Sequence, residues 1–275
     1  MNEQDNQNKF EDEEKRISEN ISKIKHRIAV FSGKGGVGKT TVSVNLAYTL
    51  QSQGFSTGIL DADITGPNVA KMLGIQGELI VLDSKMIPFE NKGVKMISIA
   101  SLVQSGQAVI WRGPMRSKII NQFLADVEWG VLDYLIADLP PGTGDEILTI
   151  AQHMKPDYAV IVTTPQEVSV MDAERAISMA KKLEIPFIGV VENMAGFICP
   201  HCSAVIELFG AGGGAYLADK YNVPFLGSIP IDINARILGD KGIPIVSERK
   251  DSEVSLTFRK IVDLIKDHFQ ISIDA

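Results

Sequence analysis

From Ile28 onward, short runs of apolar and largely β-branched residues alternate with longer stretches of helical periodicity. Buried strands are predicted at Ile28–Phe31, Thr57–Leu60, Tyr134–Ala137, Ala159–Val162, Phe187–Val191 and Phe225–Leu226. Each is short and almost wholly apolar, the texture of strands covered on both faces. Between them the spacing predicts helices over Gly38–Gln53, stopped by Gly54, and over Val168–Leu183 and Gly213–Tyr221. This alternation predicts an α/β fold, a mostly parallel sheet flanked by helices on both faces. Residues 79–99 break the rhythm. Ile80 and Leu82, then Met86 to Phe89 and Val94 to Ile99, alternate as a hairpin does and predict an antiparallel edge on the sheet.

The two ends differ in character. In Ser252–Phe269, residues Val254, Phe258, Ile261, Ile265 and Phe269 share one helical face, while Arg259 and Lys260 are mixed with Asp263 and Asp267. That face is predicted to pack on the sheet, since a membrane-surface helix would need a basic polar side. Residues 1–26 are polar and charge-rich, and are expected to form a mobile arm ending in one short amphipathic helix marked by Ile17, Ile21 and Ile24. Residues 27–275 then make up the folded domain, with a cysteine-bearing loop near 194–209.

The candidate chemistry begins where the first strand meets the first helix. Gly33-Lys34-Gly35-Gly36-Val37-Gly38-Lys39-Thr40 fits G-x-x-x-x-G-K-[ST], the phosphate-binding P-loop. Glycines let successive backbone N–H groups turn inward around phosphate oxygens, and the helix N-terminus adds its dipole. Lys39 is placed to neutralise the β and γ phosphates of ATP and the Thr40 hydroxyl to ligate Mg²⁺, with Thr41 counted among the nucleotide-binding residues. Asp138 closes the strand Tyr134–Ala137, where a carboxylate can hold a Mg²⁺-bound water, and Pro140-Pro141-Gly142 follows as a turn able to sense the γ phosphate. Asp61 and Asp63 end the second strand, one carboxylate near the metal and one to orient a water. All three fall on the carboxyl edge of one sheet, where ligands of such folds bind.

Lys34 marks the deviant loop K-G-G-V-G-K-T of the MinD, ParA and nitrogenase iron-protein superfamily. Within it, Asp61 to Pro67, Trp111-Arg112-Gly113-Pro114-Met115, Asp138 to Asp145 and Glu192-Asn193-Met194-Ala195-Gly196 resemble the Mrp/ApbC iron–sulfur carrier ATPases. The resemblance runs from about Arg27 to the C-terminus. It implies that Lys34 reaches across a dimer interface to the partner's ATP and that Asp63 positions the attacking water. It also implies that Asn193 reads the adenine edge, with the turn from Pro230 to Asp232 closing the base pocket. No arginine finger is identifiable by motif, so ATP turnover is expected to be slow.

Composition narrows the function classes. The 275 residues are 45% hydrophobic and 22% charged, as in an ordinary globular protein. A formal charge of −7 argues against non-specific nucleic-acid binding and against an anionic membrane. No secretory signal or membrane span is evident, and the seven acidic residues before Arg27 disfavour a transit peptide, so a cytoplasmic location is expected.

The two cysteines, Cys199 and Cys202, rule out a disulfide-stapled fold and lie in Cys-Pro-His-Cys. A redox dithiol, a zinc site and an iron–sulfur site are the available explanations. Zinc and a [4Fe–4S] cluster normally take four protein ligands, and one chain offers two thiolates plus at most His201. A two-fold axis would complete a Cys₄ set, which predicts a homodimer. This agrees with the family, whose members resemble it in bridging a labile cluster for delivery to apo iron–sulfur proteins. The rival readings are a MinD- or ParA-like spatial regulator, a P-loop ATPase with a dimer-bridging zinc site, and a reductase resembling the nitrogenase iron protein, which would need cluster cysteines in two separated segments. Gly210, Gly212, Gly213 and Gly214 are expected to form a flexible turn feeding the next helix.

Overall fold

The computed structural model describes residues 3–63, 66–102, 113–142 and 144–271. The elements in chain order are α1 (Glu3–Ile21), β1 (Ile24–Phe31), α2 (Lys39–Ser52), β2 (Thr57–Asp61), α3 (Val69–Met72), β3 (Ile80–Leu82), β4 (Lys85–Ile87), β5 (Phe89–Asn91) and β6 (Val94–Ser98). After them come α4 (Gly113–Asp126), β7 (Leu132–Asp138), α5 (Asp145–Thr149), β8 (Tyr158–Thr163), α6 (Glu167–Lys182), β9 (Phe187–Ile198) and β10 (Val205–Ile206). The last are α7 (Gly213–Tyr221), β11 (Phe225–Ile231), α8 (Ile233–Asp240), α9 (Ile245–Glu248) and α10 (Glu253–Ile271).

The main sheet runs β5-β6-β2-β7-β1-β8-β9, with β10 and β11 both on β9. All its pairings are parallel except β5 on β6 and β10 on β9. Period-two geometry sends alternate residues of each strand to opposite faces. Ala29, Phe31, Leu135, Ala137, Ala159 and Ile161 join a core beneath α1, α4, α6 and α7. Ile28, Val30, Tyr134, Ile136, Val160 and Val162 join a second core beneath α2 and α10. The strands therefore read as continuous apolar runs because both faces are covered. The expected face of the C-terminal helix is buried throughout: Val254, Phe258, Ile261, Ile265 and Phe269.

Two expectations need correction. The segment 79–99 is not one antiparallel edge. β6 is parallel to β2, only β5 turns back against it, and β3 with β4 forms a separate hairpin. Alternation reports a half-exposed strand but not its direction, which was the missing information. At the other end, residues 1–26, expected as a mobile arm, hold a 19-residue helix whose Ile17 and Ile21 are buried in the first core. Asn20 fastens it, its Nδ2 donating to the carbonyls of Leu124 and Val127 at 2.8 Å each. Arg16 pairs with Asp126 beside it, and Ile24, grouped with that helix by spacing, opens β1 instead. Among the α1 side chains that are described, Ile17, Asn20 and Ile21 are the buried ones, a narrow stripe on a mostly polar helix.

A docked α1 makes a specific demand. Ile17→Ala and Ile21→Ala should each lower stability to denaturant by about 2–5 kcal/mol, as for other buried large-to-small changes. An unchanged unfolding midpoint would mean that the helix does not belong to the folded unit.

Candidate nucleotide site

Parallel register brings β1, β2 and β7 to an end on one edge, and the loop of residues 32–38 rises from it into α2. Two glycines there are set by space and conformation. A Cβ on Gly33 would lie 2.1 Å from the Asp172 carbonyl oxygen of α6, so backbone meets backbone. Gly38, the N-cap of α2, has φ 84, and a Cβ on it would lie 2.1 Å from Asn193 Nδ2. A side chain at Gly38 is thus opposed twice, by the left-handed backbone and by its neighbour.

Beneath the loop the sheet edge is charged and dry. Ser98, Asp61 and Asp138 stand in register on β6, β2 and β7, and all three are fully buried. Asp138 accepts from Lys39 Nζ at 2.8 Å, from Thr40 Oγ1 at 2.7 Å and from Ser43 Oγ at 2.7 Å. Lys39 Nζ is also 3.9 Å from Asp63 Oδ2. Asp61 accepts from Ser98 Oγ at 2.8 Å. Burial, and after it the charge of Asp138, push the Asp61 carboxyl up to about 8, against the opposing pull of Ser98 and Lys39. Among the described residues Asp63 and Asp138 share the Lys39 ammonium, an acidic arrangement able to hold a divalent cation.

Above this layer lies a cavity of about 820 Å³, within the usual range for ligand sites of about 300–1,000 Å³. Its phosphate end is formed by Lys34 to Gly36, by Gly38 to Thr41 and by Asp63. Asn193, Pro230 and Asp232 also line the cavity, together with Phe209 and Phe258. Four residues assigned to the site from sequence, Gly33, Val37, Asp61 and Asp138, support this wall from below and do not line it. Asn193 Nδ2 donates to the Val37 carbonyl at 2.9 Å, holding the loop. Asp232 caps α8, accepting from the N–H groups of Asn234 and Ala235. Lys34 is half-buried on its own chain's cavity wall.

Sequence reading missed Ser43, which spacing could have found, because it lies one helical turn beyond Lys39 on the same face. It also missed Ser98, Leu208, Phe209 and Phe258, which carry no local signal. Ile64, Thr65, Trp111, Arg112 and Thr143, from the motifs that carry the resemblance, lie outside the described residues.

The cysteine pair occupies the turn between β9 and β10, where Ile198 pairs with Val205 and Phe197 with Ile206. Cys199 N–H donates to the Ala204 carbonyl and Ser203 N–H to the Cys199 carbonyl, both at 2.9 Å. Cys202 is exposed and Cys199 half-buried. The N–H groups of His201 and then Cys202, followed by the Cys202 side chain, lower the Cys199 thiol, favouring the thiolate that binds metal. Among the described residues no group of three or more His, Cys, Asp or Glu converges as a metal set. The glycines downstream are less free than expected. A Cβ on Gly213 would meet the Pro165 carbonyl at 2.7 Å, one on Gly214 would meet Glu192 Cβ at 2.7 Å, and Gly214 N–H donates to buried Glu192 at 2.6 Å. Only Gly210 and Gly212 of this run take positive φ, at 83 and 78. No described helix is long and apolar enough to cross a membrane.

The chain is similar over most of its length to known proteins. The chain is 53% identical over 245 residues to an iron–sulfur cluster carrier protein of Pyrococcus horikoshii, covering 85% of this chain and 83% of that one. It is also 53% identical over 254 residues to a protein of that name from Methanocaldococcus jannaschii, covering 91% and 87%. Among solved structures, a nucleotide-binding protein of Archaeoglobus fulgidus in complex with ADP matches with a TM-score of 0.75 at 43% identity, over 86% of this chain and 93% of that one. The cell division ATPase MinD of Pyrococcus furiosus matches with a TM-score of 0.66 at 22% identity, over 88% and 98%, a likeness of fold. A family model described as ParA, NUBPL iron-transfer P-loop NTPase, matches residues 23–266. With its phosphate loop, its carboxylate edge and these relatives, the chain belongs to the ParA family of NUBPL-type iron-transfer P-loop NTPases.

Proposed function

We propose that this protein is an ATP-hydrolysing carrier of iron–sulfur clusters. The observation that carries the reading is a phosphate loop over buried carboxylates on the same chain as an exposed Cys-x-x-C hairpin. The names of the two archaeal relatives support the cluster as cargo, and the ADP complex of the Archaeoglobus protein supports an adenine nucleotide.

In this reading the phosphates lie against the N–H groups of residues 33–40, and Lys39 shifts its ammonium from Asp138 toward the β and γ phosphates. Thr40 would turn its hydroxyl to Mg²⁺, with Asp138 behind it. The cation supplies the positive charge that the carboxylates of Asp63 and Asp138 call for. Asp63, on the cavity wall, orients the water that attacks the γ phosphate, and Lys34 contacts nucleotide held by a second copy. Hydrolysis is slow. Cys199 and Cys202 give the cargo two thiolates, and a [4Fe–4S] cluster takes four, so a homodimer with the pairs facing across a two-fold axis completes the set. Apo iron–sulfur proteins are the acceptors, and the nucleotide state sets how readily they receive the cluster.

Lys39→Ala should weaken ATP binding by about 2–5 kcal/mol, the usual effect of truncating one member of a buried charged contact, and calorimetric titration reads it directly. Chelating magnesium should weaken nucleotide binding in the wild-type protein, since the carboxylate edge then faces the triphosphate with only lysine charge between them. Anaerobic reconstitution with iron and sulfide should load a cluster that passes to an apo-acceptor. Cys199→Ser or Cys202→Ser should abolish loading while ATP still binds. Uptake of zinc without iron by the wild-type protein would sink the carrier reading.

A further inference from the structure

The hairpin that carries the cysteines starts and finishes in the nucleotide cavity. Asn193 and Met194, on its outgoing strand β9, line the cavity, and so do Leu208 and Phe209, just past its return strand β10. A third connection lies between them. Phe197 of β9 pairs with Ile206 of β10 on one side and with Ile231 of β11 on the other, and Ile231 is itself a cavity residue. From Asn193 to Cys199 is six residues, at most about 20 Å of extended chain.

The surroundings of the hairpin determine what can move. Residues 200–208 are all exposed, so little packing outside the stem holds the tip. The stem is a ladder of only two residue pairs, Ile198 with Val205 and Phe197 with Ile206. Non-glycine Met194 has φ 59, and Gly196 and Gly210 have φ 84 and 83, placing three conformational breaks beside the stem. Beyond Gly212 the chain is fixed again, through Gly213 against Pro165 and Gly214 against Glu192. A short lever therefore stands between two clamped ends, and its feet form part of a ligand pocket.

We propose that Asn193–Met194 and Leu208–Phe209 are positioning residues, through which a nucleoside filling the far end of the cavity sets the geometry of Cys199 and Cys202 within the same chain. This rests on the nucleotide reading given above and deepens it. The phosphates at the loop leave the nucleoside against these feet, and displacement of either foot reaches the thiols through two ladder pairs. Coupling of this kind is reciprocal, so whatever the cysteines hold also alters nucleotide affinity.

The test uses the full chain, reduced and metal-free, with alkylation of Cys199 and Cys202 by iodoacetamide followed residue by residue by mass spectrometry. Saturating Mg-ADP should change the rate at one or both thiols by about fivefold or more, the lower end of ordinary coupling between sites. Val205→Gly with Ile206→Gly loosens the stem at two exposed positions outside the cavity wall. That variant should bind Mg-ADP as the wild type does but lose the rate change. Equal rates with and without nucleotide at proven saturation would overturn the proposal, as would a loosened variant that responds like the wild type. A rate change that grows with protein concentration would come from association of copies and would overturn it too. Should the double variant fail to fold, hydrogen exchange of residues 197–206 in the wild type decides, with unaltered protection on adding Mg-ADP as the overturning result. Absence of Mg-ADP binding would instead remove the nucleotide reading itself, a separate failure.

Discussion

The structure turns on a single ammonium group in a dry, acidic place. Lys39 is buried against Asp138, which also takes the hydroxyls of Thr40 and Ser43. Charges this far from water are tolerated only when every partner is in place. Here Asp138 holds the Lys39 ammonium and the Thr40 hydroxyl, the groups proposed to serve a triphosphate and its cation, together with the Ser43 hydroxyl. In the proposed function, nucleotide entry is an exchange of partners, in which phosphate oxygens replace a carboxylate around Lys39.

Register supplies the remainder of this electrostatic layer. Parallel pairing aligns Ser98, Asp61 and Asp138 across neighbouring strands, so one hydroxyl and two carboxyls share a level under the loop. Their closeness keeps Asp61 from ionising easily, with burial as the first cause and its neighbour as the second. The same edge positions Asn193, which ties β9 to the loop through the Val37 carbonyl. A long strand, 12 residues in β9, thus connects the phosphate loop at one point to the cysteine turn at its tip.

What could be read from the chain beforehand depended on how local the physics was. The phosphate loop, the strand-end carboxylates and the Cys-x-x-C spacing are each written in a few consecutive residues, and the structure sets the loop and the carboxylates at one sheet edge and the cysteines in the turn between β9 and β10. The central strands were legible because burial on both faces leaves unbroken apolar runs such as Ala159–Val162. The direction of β6 was not, because Val94–Ser98 offers the same alternation to a parallel or an antiparallel neighbour. Helix α1 was under-read for a related reason: two isoleucines and Asn20 suffice to dock it, too few to stand out among so many charges. Leu208, Phe209 and Phe258 enter the cavity from loops and helices distant in sequence, so nothing short of the tertiary structure could nominate them. Gly213 and Gly214 were misjudged as pliant, because composition cannot distinguish a glycine that bends from one that merely fits.

Gly33 illustrates the second kind and has a consequence for comparing relatives. What a side chain there would strike is the main chain of Asp172 and Ala173, atoms that every amino acid possesses. No substitution at 172 or 173 can relieve such a collision, and none is needed to preserve the contact. Whatever else constrains positions 172 and 173, this contact between loop and helix does not depend on their side chains and will leave no covariation signal.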